Sequence, residues 1–159
     1  MYNKIYKRRD AMIFFEKQGV ITPAQDKTNI SFEFEVPQGV SVLDIDFSYF
    51  PKTLEDEGSA VDILSSALEK YLGKDNDQDP RDFLPVKNLI TLSADDPSGY
   101  RGAAHRQPNE QHIVLAEENS TPGFLNREVS AGKWRVMLNV HCCVCDVHYS
   151  LKISGGERK

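Results

Sequence analysis

Apolar and polar residues alternate along much of this chain, and strand side chains alternate faces. In Ile30-Ser31-Phe32-Glu33-Phe34-Glu35-Val36 the alternation is strict. It resumes from Val40 to Tyr49, with Leu43, Ile45, Phe47 and Tyr49 on one face and Asp44, Asp46 and Ser48 on the other. Pro37-Gln38-Gly39 between them is a turn signal, so the pair reads as a β-hairpin or as neighbouring antiparallel strands. Leu89–Leu92 and Gln111–Ala116 are further strand signals. Lys133–Val140 turns Trp134, Val136, Leu138 and Val140 one way, which places Trp134 in the core. The last run does the same with Val147, Tyr149, Leu151 and Ile153.

One stretch breaks the two-residue period. From Ala60 to Leu72 apolar residues recur three and four apart, which is helical spacing, and Gly73 is a stop signal. A polar loop, KDNDQDPRD, follows. The pattern predicts a mainly β protein, an antiparallel β-sandwich of jelly-roll-like form, with one short helical insertion near 60–72. Residues 29–154 form the sandwich domain, 1–28 an N-terminal extension, and 155–159 a flexible tail. Residues 1–20 fit a short helix, a strand or a tail docked on the body, and Pro23 ends any helix there.

A length of 159 residues is about one domain, large enough to bury a core without disulfide or metal staples. The net charge of −5 argues against a nucleic-acid partner, which wants a basic face. The basic start MYNKIYKRR is short and no nucleic-acid motif follows it. No run is long and apolar enough to span a membrane. The run Ala11–Phe15 is too short for a signal peptide, so a cytoplasmic location is expected. The three cysteines, clustered at 142, 143 and 145, do not make a disulfide framework.

Three segments carry a resemblance. They are Asp96-Pro97-Ser98-Gly99-Tyr100-Arg101-Gly102, Ser120-Thr121-Pro122-Gly123-Phe124-Leu125, and Ala131-Gly132-Lys133-Trp134-Arg135-Val136-Met137-Leu138. In this order they resemble the β-sandwich accessory domain found ahead of metallohydrolases of the polymerase-and-histidinol-phosphatase (PHP) type, and more distantly pre-peptidase C-terminal-like domains. The likeness covers roughly residues 29–154. Ala103-Ala104-His105 stands where that family often has a Ser-Gly-rich turn, and the stretch at 55–80 reads as an insertion. The metal-binding His and Asp residues of such enzymes lie in a catalytic domain outside this sequence. The resemblance therefore implies a non-catalytic accessory or interaction domain, without a cofactor of its own, associated with a metal-dependent phosphoesterase-type hydrolase or another protein partner. A homodimer is a further possibility.

Two clusters could carry chemistry. Tyr100, Arg101, His105 and Phe124 lie in or beside the motif loops and could bind a carbohydrate or small ligand, Arg101 offering a planar fork to a carboxylate or phosphate. The competing reading has Arg101 pair with Asp95 or Asp96 and pin two loops. His141, Cys142, Cys143, Cys145 and His148 have the ligand types zinc prefers, packed into one short stretch. Zinc sites usually join separated pairs, so the plainer reading is a hairpin whose cysteines fill space. Asp44, Asp46, Asp95 and Asp96 could offer oxygens to Ca²⁺ but form no calcium-loop motif, and solvent-facing strand carboxylates are the commoner meaning. The sequence has neither a G-x-S-x-G elbow nor an H-E-x-x-H motif, and a self-contained enzyme is not expected.

Overall fold

A computed structural model describes residues 11–105 and 108–157. Among the described residues eight strands form two antiparallel four-stranded sheets. Sheet A takes β1 (Met12–Ile21), β8 (Val147–Gly156), β3 (Val42–Phe50) and β6 (Glu110–Ala116), in the order β1-β8-β3-β6. Sheet B takes β2 (Asn29–Val36), β7 (Gly132–Cys142), β4 (Leu89–Asp96) and β5 (Gly99–Ala104), in the order β2-β7-β4-β5. These are the two interleaved sheets of a jelly roll. A helix, α1 (Glu57–Leu72), and a 3-10 turn at Pro80–Phe83 lie between β3 and β4.

The alternating residues face each other between the sheets. Leu43, Ile45, Phe47 and Tyr49 from sheet A meet Trp134, Val136, Leu138 and Val140 from sheet B, and all are buried. Each fully buried side chain of this size contributes about 1.5–3 kcal/mol. Trp134 is 1% exposed, and its indole N–H donates to Ser130 O at 2.8 Å.

The Pro37–Gly39 turn does not make a hairpin. It carries the chain from sheet B to sheet A, so β2 and β3 lie in different sheets. β2 pairs with β7 instead, Phe34 opposite Trp134. The turn between β7 and β8 crosses between the sheets in the same way. Only β4 and β5 are consecutive neighbours in one sheet.

The sandwich is also longer than residues 29–154. β1 is hydrogen-bonded along β8 from Met12↔Gly155 to Ile21↔Val147, and β8 runs on to Gly156. Residues 1–10 and 158–159, which hold the basic start and the end of the tail, lie outside the described residues. No helix among the described residues is long and apolar enough to cross a membrane.

The loop after β6 closes one flank of the sandwich. On the β6 edge, the Thr121 N–H donates to Val114 O at 2.8 Å, and Thr121 Oγ1 accepts from the Val114 N–H at 2.8 Å. On the β5 edge, Ala103 N–H donates to Gly123 O at 3.1 Å and Leu125 N–H to Arg101 O at 2.8 Å. Phe124, 7% exposed, drops between the two edges into the core. An open sheet edge invites pairing with another chain, and this loop covers one edge of each sheet.

Candidate functional site

The three motif segments meet at one corner, and Arg101 joins them. β5 carries one extra residue against β4, because Ala94 faces Gly102 while Asp95 faces Tyr100. The extra residue is Arg101, and such a bulge re-aims a side chain. Arg101 points into the protein, is 0% exposed, and lies 5.6 Å from the centre of the Trp134 ring. Its guanidinium donates to Asp96 Oδ2 at 3.1 Å, Glu128 O at 3.0 Å, Ala116 O at 3.1 Å and Arg127 O. Asp96 also pairs with Arg127 at 2.8 Å and accepts from the Ser98 N–H at 2.7 Å. A buried charge needs such partners. The proposed fork for a ligand is therefore occupied by the protein's own loops, and Asp96 rather than Asp95 is its acid.

The four loop residues do not form one surface. Arg101 and Phe124 belong to the interior, whereas Tyr100 is 61% exposed and His105, just after β5, is exposed. Tyr100 instead joins Asp95 and two residues that the sequence reading passed over, Glu33 and Arg135. On the outer face of sheet B, Glu33 stands opposite Arg135, Arg135 opposite Asp95, and Asp95 opposite Tyr100. This row crosses all four strands, a span of about 14 Å at ordinary strand spacing. Arg135 Nε donates to Asp95 Oδ2 at 2.9 Å, and Lys133 pairs with Glu33 at 3.5 Å. With Pro97 and Gly99 these residues line an open cleft of about 500 Å³. Alternation marks Glu33, Lys133 and Arg135 as outward-facing, but only the pairing register makes them neighbours of Asp95 and Tyr100.

The outer face of sheet A carries a second polar row. Glu16 faces Lys152, Lys152 faces Asp46, and Asp46 faces His112. His112 lies between two β3 carboxylates, with Nδ1 2.6 Å from Asp46 Oδ1 and Nε2 3.4 Å from Asp44 Oδ1. Asp44 and Asp46 are thus strand carboxylates held by a histidine.

The histidine–cysteine cluster is dispersed. His141 lies on the outer face of sheet B, with Nε2 2.8 Å from Thr91 Oγ1. His148 lies on the outer face of sheet A, opposite Val20 and Phe50. The two imidazoles are therefore on opposite sides of the sandwich. Cys143 turns inward with Sγ 3.7 Å from Ile21 O, and Asn88 Nδ2 lies 3.3 Å from Cys145 Sγ. Among the described residues no three His, Cys, Asp or Glu side chains gather as metal ligands. The turn is held by Asp26, which accepts the Cys143 N–H at 2.7 Å. Burial alone would raise the Asp26 carboxyl, but the Cys143 N–H and Lys27 take it below its ordinary value.

Burial pushes the Cys143 thiol up to about 11, with Cys145 and Asp26 adding to the effect. Only the thiolate attacks an alkylating agent. Cys143 is expected to react about a hundredfold more slowly in the folded protein than in the denatured chain at neutral pH, as read by mass spectrometry of alkylated peptides. Equal rates would mean that the turn opens freely. The folded value lies above the unfolded one, so this thiol's contribution to stability is whole below about pH 9 and is lost as pH rises toward about 11.

A scan against protein-family models finds none that matches the chain, and a search of curated proteins finds no significant match either.

Proposed function

We propose that this chain is a non-catalytic binding domain that works beside a metal-dependent hydrolase and holds a polar, polyhydroxylated ligand of saccharide type on the outer face of sheet B. The observation that carries the reading is the row Glu33–Arg135–Asp95–Tyr100 along an open cleft on the outer face of the sheet. An exposed aromatic ring offers a face for the C–H side of a sugar ring. The carboxylates and cations beside it accept from and donate to hydroxyl groups. The groups are already held by cross-strand pairs, so little freedom is lost on binding. The hydrolase partner rests on the resemblance of the three motif segments to the domain that accompanies such enzymes.

Titration calorimetry of the full chain against a panel of neutral and acidic oligosaccharides tests the ligand. Binding by one class is expected, with Tyr100→Ala and Arg135→Met each lowering affinity by about tenfold or more. Wild-type affinity in both variants, or no binding across the panel, overturns this site. Affinity purification of the tagged chain from its native host tests the partner. Reproducible recovery of a metallohydrolase supports it, and recovery of none withdraws it.

A further inference from the structure

The stretch between β3 and β4 is built to meet something other than the sandwich. α1 is a well-formed helix: Asp56 caps it by accepting the Ser59 N–H at 2.8 Å, and the Gly73 N–H donates to Glu69 O at its end. Its apolar residues make one stripe, Ala60/Val61, Leu64, Ala67/Leu68 and Tyr71/Leu72, with Ile63 at its margin and 37% exposed. In a helix that serves only the core, that stripe is covered. Here Ala60 alone is buried, and the stripe opens progressively until Tyr71 is 76% and Leu72 59% exposed.

Charge says what would cover it. From Glu55 to Asp82 there are nine acidic residues (55, 56, 57, 62, 69, 75, 77, 79, 82) and three basic ones (70, 74, 81), a net −6. The whole chain carries −5, so all its other residues together carry +1. The net negative charge of the protein is thus concentrated on this one excursion, around an uncovered apolar helix end. A second copy meeting it face to face would set like charge against like charge, because a two-fold interface joins a patch to itself.

We infer that the C-terminal half of α1, centred on Tyr71 and Leu72, docks a basic amphipathic helix of a partner protein. Apolar side chains of that helix cover Tyr71 and Leu72, and its Lys and Arg residues meet Glu69, Asp75, Asp77 and Asp79. The surface shares no residue with the Tyr100 face and stands or falls separately from it.

The test is fluorescence anisotropy of the full chain with a labelled helical peptide of roughly five turns, Leu on one face and Lys on the other. The control is the same peptide with every Lys changed to Glu. The basic peptide is expected to bind, more weakly as salt rises, and the acidic one to fail. Tyr71→Ser with Leu72→Ser should weaken binding by about tenfold or more without lowering the melting temperature, since both side chains are largely in water. Tyr100→Ala should leave it unchanged. Equal binding of the two peptides, no binding, or wild-type binding by the double variant overturns the inference. So does sedimentation showing a wild-type dimer that the double variant breaks, since the occupant is then a second copy.

Discussion

Arg101→Met is expected to cost about 3–5 kcal/mol of folding stability, a large part of what a domain of this size possesses. The methionine fills most of the space but donates nothing. Arg127 O and Glu128 O then lose a charged donor, Ala116 O keeps the Arg127 N–H and the Ser120 hydroxyl, and Asp96, 6% exposed, keeps only Arg127 and the Ser98 N–H. Each acceptor stranded in the interior costs about 1–3 kcal/mol. Arg101→Lys keeps the charge but reaches fewer acceptors from a single nitrogen, so it should restore less than half of the loss. Denaturant titration measures this as a shift in midpoint at constant slope. A shift of Arg101→Met within about 1 kcal/mol of wild type would mean that water reaches the corner.

The second large effect is expected at Gly102. Its φ is +142°, which side chains other than hydrogen disfavour. A Cβ there would stand 2.4 Å from Gly123 O and 2.5 Å from Phe124 Cα. Both are backbone atoms of the closing loop and cannot swing aside. Gly102→Ala should therefore cost about 2–5 kcal/mol and push the loop off the β5 edge. Gly123→Ala meets Ala103 O at 2.4 Å from the opposite side and should behave alike. Hydrogen exchange separates this from a uniform loss of stability. The Ala103 and Leu125 amides should lose protection before those of β7 and β8. Uniform loss across all strands would place the strain elsewhere.

How much of this was legible in the sequence depended on the question asked. Alternation named the buried face of β2, β3, β7 and β8, and the helix emerged at Glu57–Leu72 with Gly73 after it. Alternation states which face is buried, not which strand lies alongside. Two strands joined by a short turn satisfy the same pattern whether they pair in one sheet or pass from one sheet to the other, and β2 and β3 do the second. β5 escaped because Gly99, Gly102, Ala103 and Ala104 have little side chain to alternate. β1 stayed ambiguous because a register shift between Ile13 and Phe15 breaks its period. In the site, Tyr100 was visible as an aromatic in a turn-rich segment. Glu33 and Arg135 were not, and Asp95 was noticed without them, since their adjacency depends on pairings that span 40 residues and more. Arg101 was read both ways, and only the bulge decided that it points inward.

The pairing of β1 with β8 has a geometric consequence. Met12 lies directly across the ladder from Gly155, so the chain enters and leaves the sandwich one strand width apart. The fold is close to a ring. A few residues bridging that gap would close it, and reopening it in the polar stretch at 74–79 would give a circular permutant that retains every strand. Modules joined directly to the start of β1 and to the end of β8 would emerge from the same corner, so the order in which they are encoded matters little to where they sit.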